Sequence, residues 1–147
     1  MKAIGWRLSF FRLIVLIGFA TAITIASASE FDISNFILIR REPGVALLYL
    51  DLSSVKRNGP NIEYRTVLNF ENSPLPAQSA VYNFESNCNE KIIRTIVSRT
   101  YSAKFGRGQL IAAFIPSEIP GGIDAFRPWS EVPNPDEAIA ACRLVKQ

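Results

Sequence analysis

Histidine is absent from the 147 residues of this chain, and cysteine occurs only at Cys88 and Cys142. The absence of histidine removes the commonest general base and the commonest neutral metal ligand in proteins. Two cysteines without a histidine supply at most half of a zinc site. The composition therefore predicts no catalytic site, no metal site and no cofactor.

Acidic residues are absent from the first 28 residues, which have the pattern of a secretory signal peptide. Three basic residues precede an apolar run at 13–25, and Ala26-Ser27-Ala28 then supplies small residues. A basic start, an apolar centre and an A-x-A site are the three parts of such a signal. A membrane anchor is the alternative, but a spanning helix needs roughly 20 apolar residues. We therefore expect a signal peptide at 1–28, cleavage after Ala28 and no stable membrane span afterwards.

Net charge is also absent from the expected mature chain, residues 29–147. Three of the 16 basic residues and none of the 13 acidic residues lie in the signal segment, which leaves 13 of each sign. A nucleic-acid-binding domain usually carries a strong basic excess. The balance therefore predicts no nucleic-acid partner, and the remaining length suits one small domain.

The two cysteines favour a disulfide bond. Export would bring Cys88 and Cys142 into an oxidising compartment, where an even count is expected to pair. Two buried free thiols are the alternative. A bond that closes a loop of this length would stabilise the fold by about 4 kcal/mol in the chain-entropy model.

The middle of the chain has strand patterns separated by short turns. Val45–Leu52 is a continuous apolar run, and Asn58-Gly59-Pro60 is strong turn chemistry. The side chains of residues 62–71 alternate between the two sides of a predicted strand. One side would carry Ile62, Tyr64, Thr66, Leu68 and Phe70, and the other, solvent-exposed side would carry Glu63, Arg65, Val67 and Asn69. Further strands are predicted at 80–88, 91–105 and 109–115, although 92–101 is long enough to be a helix. Short links favour antiparallel pairing.

The end of the chain is predicted to be a covering loop followed by a helix. Residues 116–135 are rich in proline, and Phe126 and Trp129 would anchor this loop on apolar surface. Trp129 is more typical of a residue that fills the core than of a binding residue. Asn134 as N-cap and Pro135 at the first helical position indicate a helix start. One helical face would carry Ala138, Ile139, Cys142 and Val145. A Cys88–Cys142 bond would tie this helix to the sheet. The predicted fold is therefore α+β, a single antiparallel β-sheet of about five or six strands with a C-terminal α-helix packed on one face.

Several segments in order resemble the surface-adhesin protein E-like family of exported bacterial proteins. They are YLDLSSVKRNG at 49–59, YNFESNCNEKIIR at 82–94, YSAKFGRG at 101–108, the loop around Trp129, and the closing Cys142. The resemblance implies an antiparallel sheet with a disulfide-tied C-terminal helix. It also implies a non-enzymatic binding domain, since the family's named member is an adhesin for host laminin, vitronectin and plasminogen. The chain departs from that member in having no cysteine at the end of the signal segment, so we expect a periplasmic or secreted protein that is not lipid-anchored.

One segment is a candidate binding surface for a protein or glycan partner. Between residues 94 and 107, basic and aromatic side chains alternate: Arg94, Arg99, Tyr101, Lys104, Phe105 and Arg107. Such a set could engage an acidic protein or a glycan. The alternative is a solvated strand face whose long side chains cover the sheet.

Two other functions fit less well. A periplasmic inhibitor or envelope accessory protein could present Gly106-Arg107-Gly108 as a protruding tip, although such a motif is more often a tight hairpin turn. A small hydrolase could use the carboxylate pairs Glu85 and Glu90 or Asp51 and Glu63. Ser53-Ser54 has no G-x-S-x-G context, and no histidine could activate either serine.

Overall fold

The computed structural model describes residues 32–119, 124–133 and 135–145. The predicted signal segment and Asn134 lie outside these described residues. The helix and seven strands are β1 (Phe36–Glu42), β2 (Ala46–Asn58), β3 (Asn61–Phe70), β4 (Ser79–Asn87), β5 (Ile92–Tyr101), β6 (Leu110–Phe114), β7 (Arg127–Pro128) and α1 (Asp136–Leu144). Short 3₁₀ turns span Ile33–Asn35, Lys104–Gly106, Pro116–Glu118 and Trp129–Glu131.

All the strand pairs are antiparallel and form one sheet. The order is β1-β2-β3-β4-β5-β6, and the two-residue β7 also pairs with β5. β6 covers the end of β5 near Tyr101, whereas β7 pairs with Ile92 and Ile93 at the other end of the same edge. The predicted α+β fold is confirmed, including the strand rather than helix at 92–101.

β2 is longer than the sequence predicts. The apolar run was expected to end near Leu52, but the strand continues to Asn58 and turns at Gly59, whose φ is +58°. The register shifts between Asp51 and Lys56, where side chains replace ladder hydrogen bonds. The Ser54 hydroxyl donates to the Asp51 carbonyl at 2.6 Å and accepts from the Arg65 N–H at 2.8 Å. Polar residues that look like a loop therefore form a bulged strand.

The helix side of the sheet holds the main core. Leu50, Ile62, Tyr64 and Ile93 pack with the buried Ala138, Ala141 and Cys142. The predicted helical face is therefore slightly rotated, because Ala141 is buried and Ile139 is only half-buried. α1 begins at Asp136, one residue later than predicted, and Pro135 occupies the cap position without a side-chain cap bond.

The side of the sheet opposite α1 is not uniformly exposed to solvent. Arg65 is exposed as predicted, but Val67 and Asn69 are 1% and 4% exposed. The reason is the turn Lys104–Gly106, which folds back over this side of β3 and β4. The prediction of one solvated face is therefore wrong for the second half of β3.

β1 is absent from the predicted strands. Its sequence, FILIRRE, is apolar and then charged, so it has neither clean alternation nor a continuous apolar run. The register with β2 shifts between Leu38 and Arg40, which interrupts the alternation further. Pairing with the apolar β2 makes this segment a strand, which a local pattern does not reveal.

The predicted Cys88–Cys142 bond is present. It joins the residue after β4 to α1, with a Cα–Cα distance of 5.8 Å and a sequence separation of 54. α1 has only nine residues and such a helix is marginal on its own. The bond therefore holds α1 against the sheet.

Candidate functional site

The connection between β5 and β6, residues 102–109, is held on the sheet by buried polar side chains. The Ser79 hydroxyl is fully buried, donates to the Ala103 carbonyl at 2.6 Å and accepts from the Gly106 N–H at 2.9 Å. The Asn69 amide oxygen accepts from the Phe105 N–H at 2.7 Å. We call residues 102–109 the β5–β6 loop. Its hydrogen bonds fix its backbone, so side chains on it have defined positions.

Phe105 anchors this loop instead of pointing away from it. Its φ is +57°, a left-handed conformation that is uncommon for a non-glycine residue. The ring packs against Phe36 and Tyr49, with centroid distances of 5.5 and 5.1 Å. These contacts place Phe105 among aromatic side chains of β1 and β2.

The glycines of the loop explain its compact shape. A Cβ on Gly106 would lie 2.5 Å from Cγ2 of Val81, and a Cβ on Gly108 would lie 2.5 Å from the Ser102 hydroxyl oxygen. The Ser102 N–H donates to the Gln109 carbonyl at 3.0 Å, and the Ser102 hydroxyl accepts from the Gln109 N–H at 2.8 Å. The loop is therefore neither a tight two-residue hairpin nor a protruding finger.

The predicted binding residues divide into two places. Arg99, Tyr101, Lys104, Phe105 and Arg107 lie at the end of β5 and in the β5–β6 loop. Arg94 is seven residues before Tyr101, which at about 3.3 Å per residue corresponds to roughly 20 Å along the strand. Of these side chains, Arg107 is exposed and the others are half-buried.

Arg94 has partners of its own. Its guanidinium donates to Oε2 of Glu85 from Nε at 2.8 Å and from Nη2 at 2.6 Å. It also lies over the ring of Phe126, 4.9 Å from the centroid. Phe126 thus contacts β5 through a guanidinium and not through the apolar surface that was predicted, whereas Trp129 packs against the main core as predicted.

The sequence predicts β6 only as a strand and gives it no binding role. Every residue from Leu110 to Phe114 is exposed, and Leu110, Ile111 and Phe114 are 48%, 44% and 49% exposed. Within the described chain, β6 is the last strand of the sheet order and pairs with β5 alone. The signal in the sequence is an uncharged apolar run, LIAAF, directly after the basic loop. An apolar edge strand of this kind can pair with another chain.

Two of the carboxylates considered for hydrolysis, Asp51 and Glu85, have structural partners. Asp51 is 1% exposed, accepts from the Ser53 N–H at 3.0 Å and forms an ion pair with Arg65. Glu85 accepts from the Asn61 amide at 2.7 Å in addition to its pair with Arg94. Asp51 and Glu85 are therefore both held in place by neighbouring side chains or backbone groups.

Residues 32–119, 124–133 and 135–145 contain no group of three or more acidic or cysteine side chains placed to hold a metal ion. Within the same ranges, no helix is both long and apolar enough to cross a bilayer.

Known proteins resemble this chain in both sequence and fold. The profile of a family described as surface-adhesin protein E matches residues 36–133. The selenomethionine form of Haemophilus influenzae protein E is 17% identical, with a TM-score of 0.52 over 78% of this chain and 88% of that one. Crystal form II of the same protein is also 17% identical, with a TM-score of 0.51 over 77% and 88%. At this identity the solved structures show a shared fold. No curated protein matches the sequence significantly.

Proposed function

The chain belongs to the surface-adhesin protein E family, and on that premise we propose that it is exported and binds a protein partner through β6 and the β5–β6 loop. Family membership makes it an adhesin-like binding protein and implies a non-enzymatic surface role. The partner we propose is a protein with an extended, acidic segment.

The exposed apolar edge of β6 carries this proposal. An extended segment can add to a sheet edge, with backbone hydrogen bonds for affinity and side-chain contacts for specificity. Leu110, Ile111 and Phe114 offer exposed apolar contacts. Lys104 and Arg107 precede them in the β5–β6 loop, and Arg99 faces Ala113 across the strand pair. Cations beside an apolar edge favour an acidic segment over a neutral one.

Export is the second part of the proposal. We infer that residues 1–28 are removed after Ala28 and that the protein works in the periplasm or outside the cell without a lipid anchor. The Cys88–Cys142 bond supports this inference, because disulfides persist in oxidising compartments. Intact-mass analysis of protein from periplasm and medium should give a chain that begins at Ser29. A chain that keeps its first 28 residues would contradict the export proposal.

Binding is tested with laminin, vitronectin and plasminogen as immobilised probes, because the resemblance attributes these ligands to the family's named member. Two double variants remove the proposed contacts: Lys104→Ser with Arg107→Ser, and Ile111→Lys with Phe114→Lys. We expect each to weaken binding at least about tenfold, the size of a few lost interface contacts. The Lys104/Arg107 variant should also reduce the salt dependence. Biolayer interferometry measures both effects.

The matched control is Lys56→Ser with Arg143→Ser, which removes two exposed cations away from β6. It should keep the affinity of the natural chain. Equal losses in the control and the loop variant would show that net charge, rather than this surface, governs binding. Unchanged binding in both test variants would remove β6 and its loop as the site.

A further inference from the structure

A cavity lies on the helix side of the sheet, away from β6. Its volume is about 360 Å³, within the range of roughly 300–1,000 Å³ that small-molecule sites occupy. Its apolar wall comes from the strands, through Leu48, Leu68, Tyr82, Phe84 and Ile93. α1 and the end of the proline-rich loop form the remaining border, so the cavity is built by parts of the chain that are far apart in sequence.

Three polar groups in this cavity are buried without a partner. Among the described residues, Nη1 of Arg40, the hydroxyl of Thr66 and Oε2 of Glu137 have no hydrogen-bond partner, and all three residues line the cavity. Thr66 is only 1% exposed. Buried polar groups in folded proteins are nearly always paired with protein or ordered water, so these three groups around one space are available to a polar ligand.

The chemistry of these groups defines the occupant. Arg40 binds Glu42 through Nε at 3.3 Å, which leaves Nη1 available as a charged donor. Thr66 adds a hydroxyl donor, and Arg127 places a second guanidinium on the border. Arginine donors match a carboxylate better than any neutral acceptor.

Glu137 is compatible with an acidic occupant. Burial raises the pKa of its carboxyl, although nearby Arg40 acts in the opposite direction. The neutral carboxyl therefore persists to a higher pH than in a free glutamate, and in that form it can donate a hydrogen bond instead of repelling an anion.

We propose that this cavity binds a small apolar molecule with a single carboxylate, whose apolar body lies on Leu68 and Phe84 and whose carboxylate accepts from Arg40 and Thr66. This inference does not rest on the proposed adhesion, because the cavity and β6 use different residues.

The test is calorimetric titration of the purified, disulfide-bonded protein with hexanoate and phenylacetate, and with phenylalanine as a zwitterionic comparison. The matched probes are hexanamide and phenylacetamide, which keep the carbon skeletons and lose the charge. We expect saturable binding of at least one carboxylate with at least tenfold preference over its amide. Thr66→Val keeps the side-chain shape and should weaken carboxylate binding about tenfold, as should Arg40→Met.

The control is Arg41→Met, because Arg41 is the next residue of β1 and its ion pair, with Glu71 at 3.4 Å, lies outside the cavity. This variant should bind as the natural chain does. Leu68→Trp should fill the space and abolish binding without removing a polar group. If Thr66→Val does not fold, the proposal is decided by the carboxylate affinity of Arg40→Met compared with that of Arg41→Met.

Three results would overturn the proposal. They are the absence of saturable binding by both carboxylates, equal binding of acid and amide, and tighter binding of phenylalanine than of phenylacetate. The last result would indicate a zwitterion held between Arg40 and Glu137. The binding experiments with laminin, vitronectin and plasminogen test only the surface formed by β6 and the β5–β6 loop. A negative result there leaves the cavity proposal standing, and the reverse also holds.

Discussion

Gly106 lies where the β5–β6 loop meets the sheet, and its lack of a side chain is a steric requirement. Its φ is +68°, and an added Cβ would come within 2.5 Å of Val81. Gly106→Ala combines left-handed strain of about 1–2 kcal/mol with overpacking of about 1–3 kcal/mol. We expect a loss of about 2–5 kcal/mol in unfolding free energy from these two terms, measured by urea denaturation.

Gly44 provides the matched control for this prediction. It has a similar φ of +74°, but an added Cβ would meet nothing within 4 Å. Gly44→Ala should therefore cost only the backbone strain, about 1–2 kcal/mol. Equal losses in the two variants would show that the loop moves away from Val81 without cost.

Buried polar residues account for much of what the sequence does not reveal. Ser79 and Asn69 are buried because they bind the backbone of the β5–β6 loop, 24 and 36 residues away. A sequence pattern usually assigns serine and asparagine to turns or exposed faces. The local pattern therefore gives no sign that this loop covers the sheet.

At the scale of elements, strands with strong apolar patterns were predictable. β3 and β4 alternate and β2 begins with a continuous apolar run, so each was found from its own residues. β1 and the bulged half of β2 were not, because their strand character depends on pairing. The candidate surface shows the same limit: proximity in sequence grouped Arg94 with Lys104, but an extended strand separates them.

α1 carries a buried carboxyl that should make its docking depend on pH. Burial raises the pKa of Glu137 above its ordinary value of 4.5, so the folded chain holds this proton more tightly than the unfolded chain. The protonated Glu137 carboxyl therefore adds to the free energy of unfolding. This contribution is fully present below about pH 4.5 and is lost as the pH rises through the raised pKa of Glu137. Hydrogen exchange of the α1 amides should therefore become faster, relative to intrinsic rates, across that interval.

Glu137→Gln should remove this dependence, because the amide stays neutral at every pH. We expect the variant to resemble the natural chain below about pH 4.5 and to protect α1 better at a pH above the raised pKa of Glu137. Glu90→Gln is the control, since Glu90 is exposed in the turn after β4. An unchanged pH profile in Glu137→Gln would show that another group controls the docking of α1.

At the scale of the whole molecule, two sides of one sheet are closed by different means. The β5–β6 loop covers one side through hydrogen bonds and aromatic packing, whereas α1 covers the other through apolar contacts and the disulfide. The small buried residues of α1, Ala138 and Ala141, contribute limited apolar area. The covalent bond should therefore matter more to the helix side than to the loop side.

Removal of the bond by Cys88→Ser with Cys142→Ser tests this division. In the chain-entropy model, opening a loop with a separation of 54 residues costs about 4 kcal/mol of unfolding free energy, measured by urea denaturation. Hydrogen exchange should show the earliest loss of protection in α1, while β3 and the β5–β6 loop stay protected. Because the cavity borders on α1, carboxylate binding should weaken with it, whereas binding through β6 should persist where the sheet remains folded. Uniform loss of protection over both sides would contradict this separation and indicate that the sheet and α1 unfold as one unit.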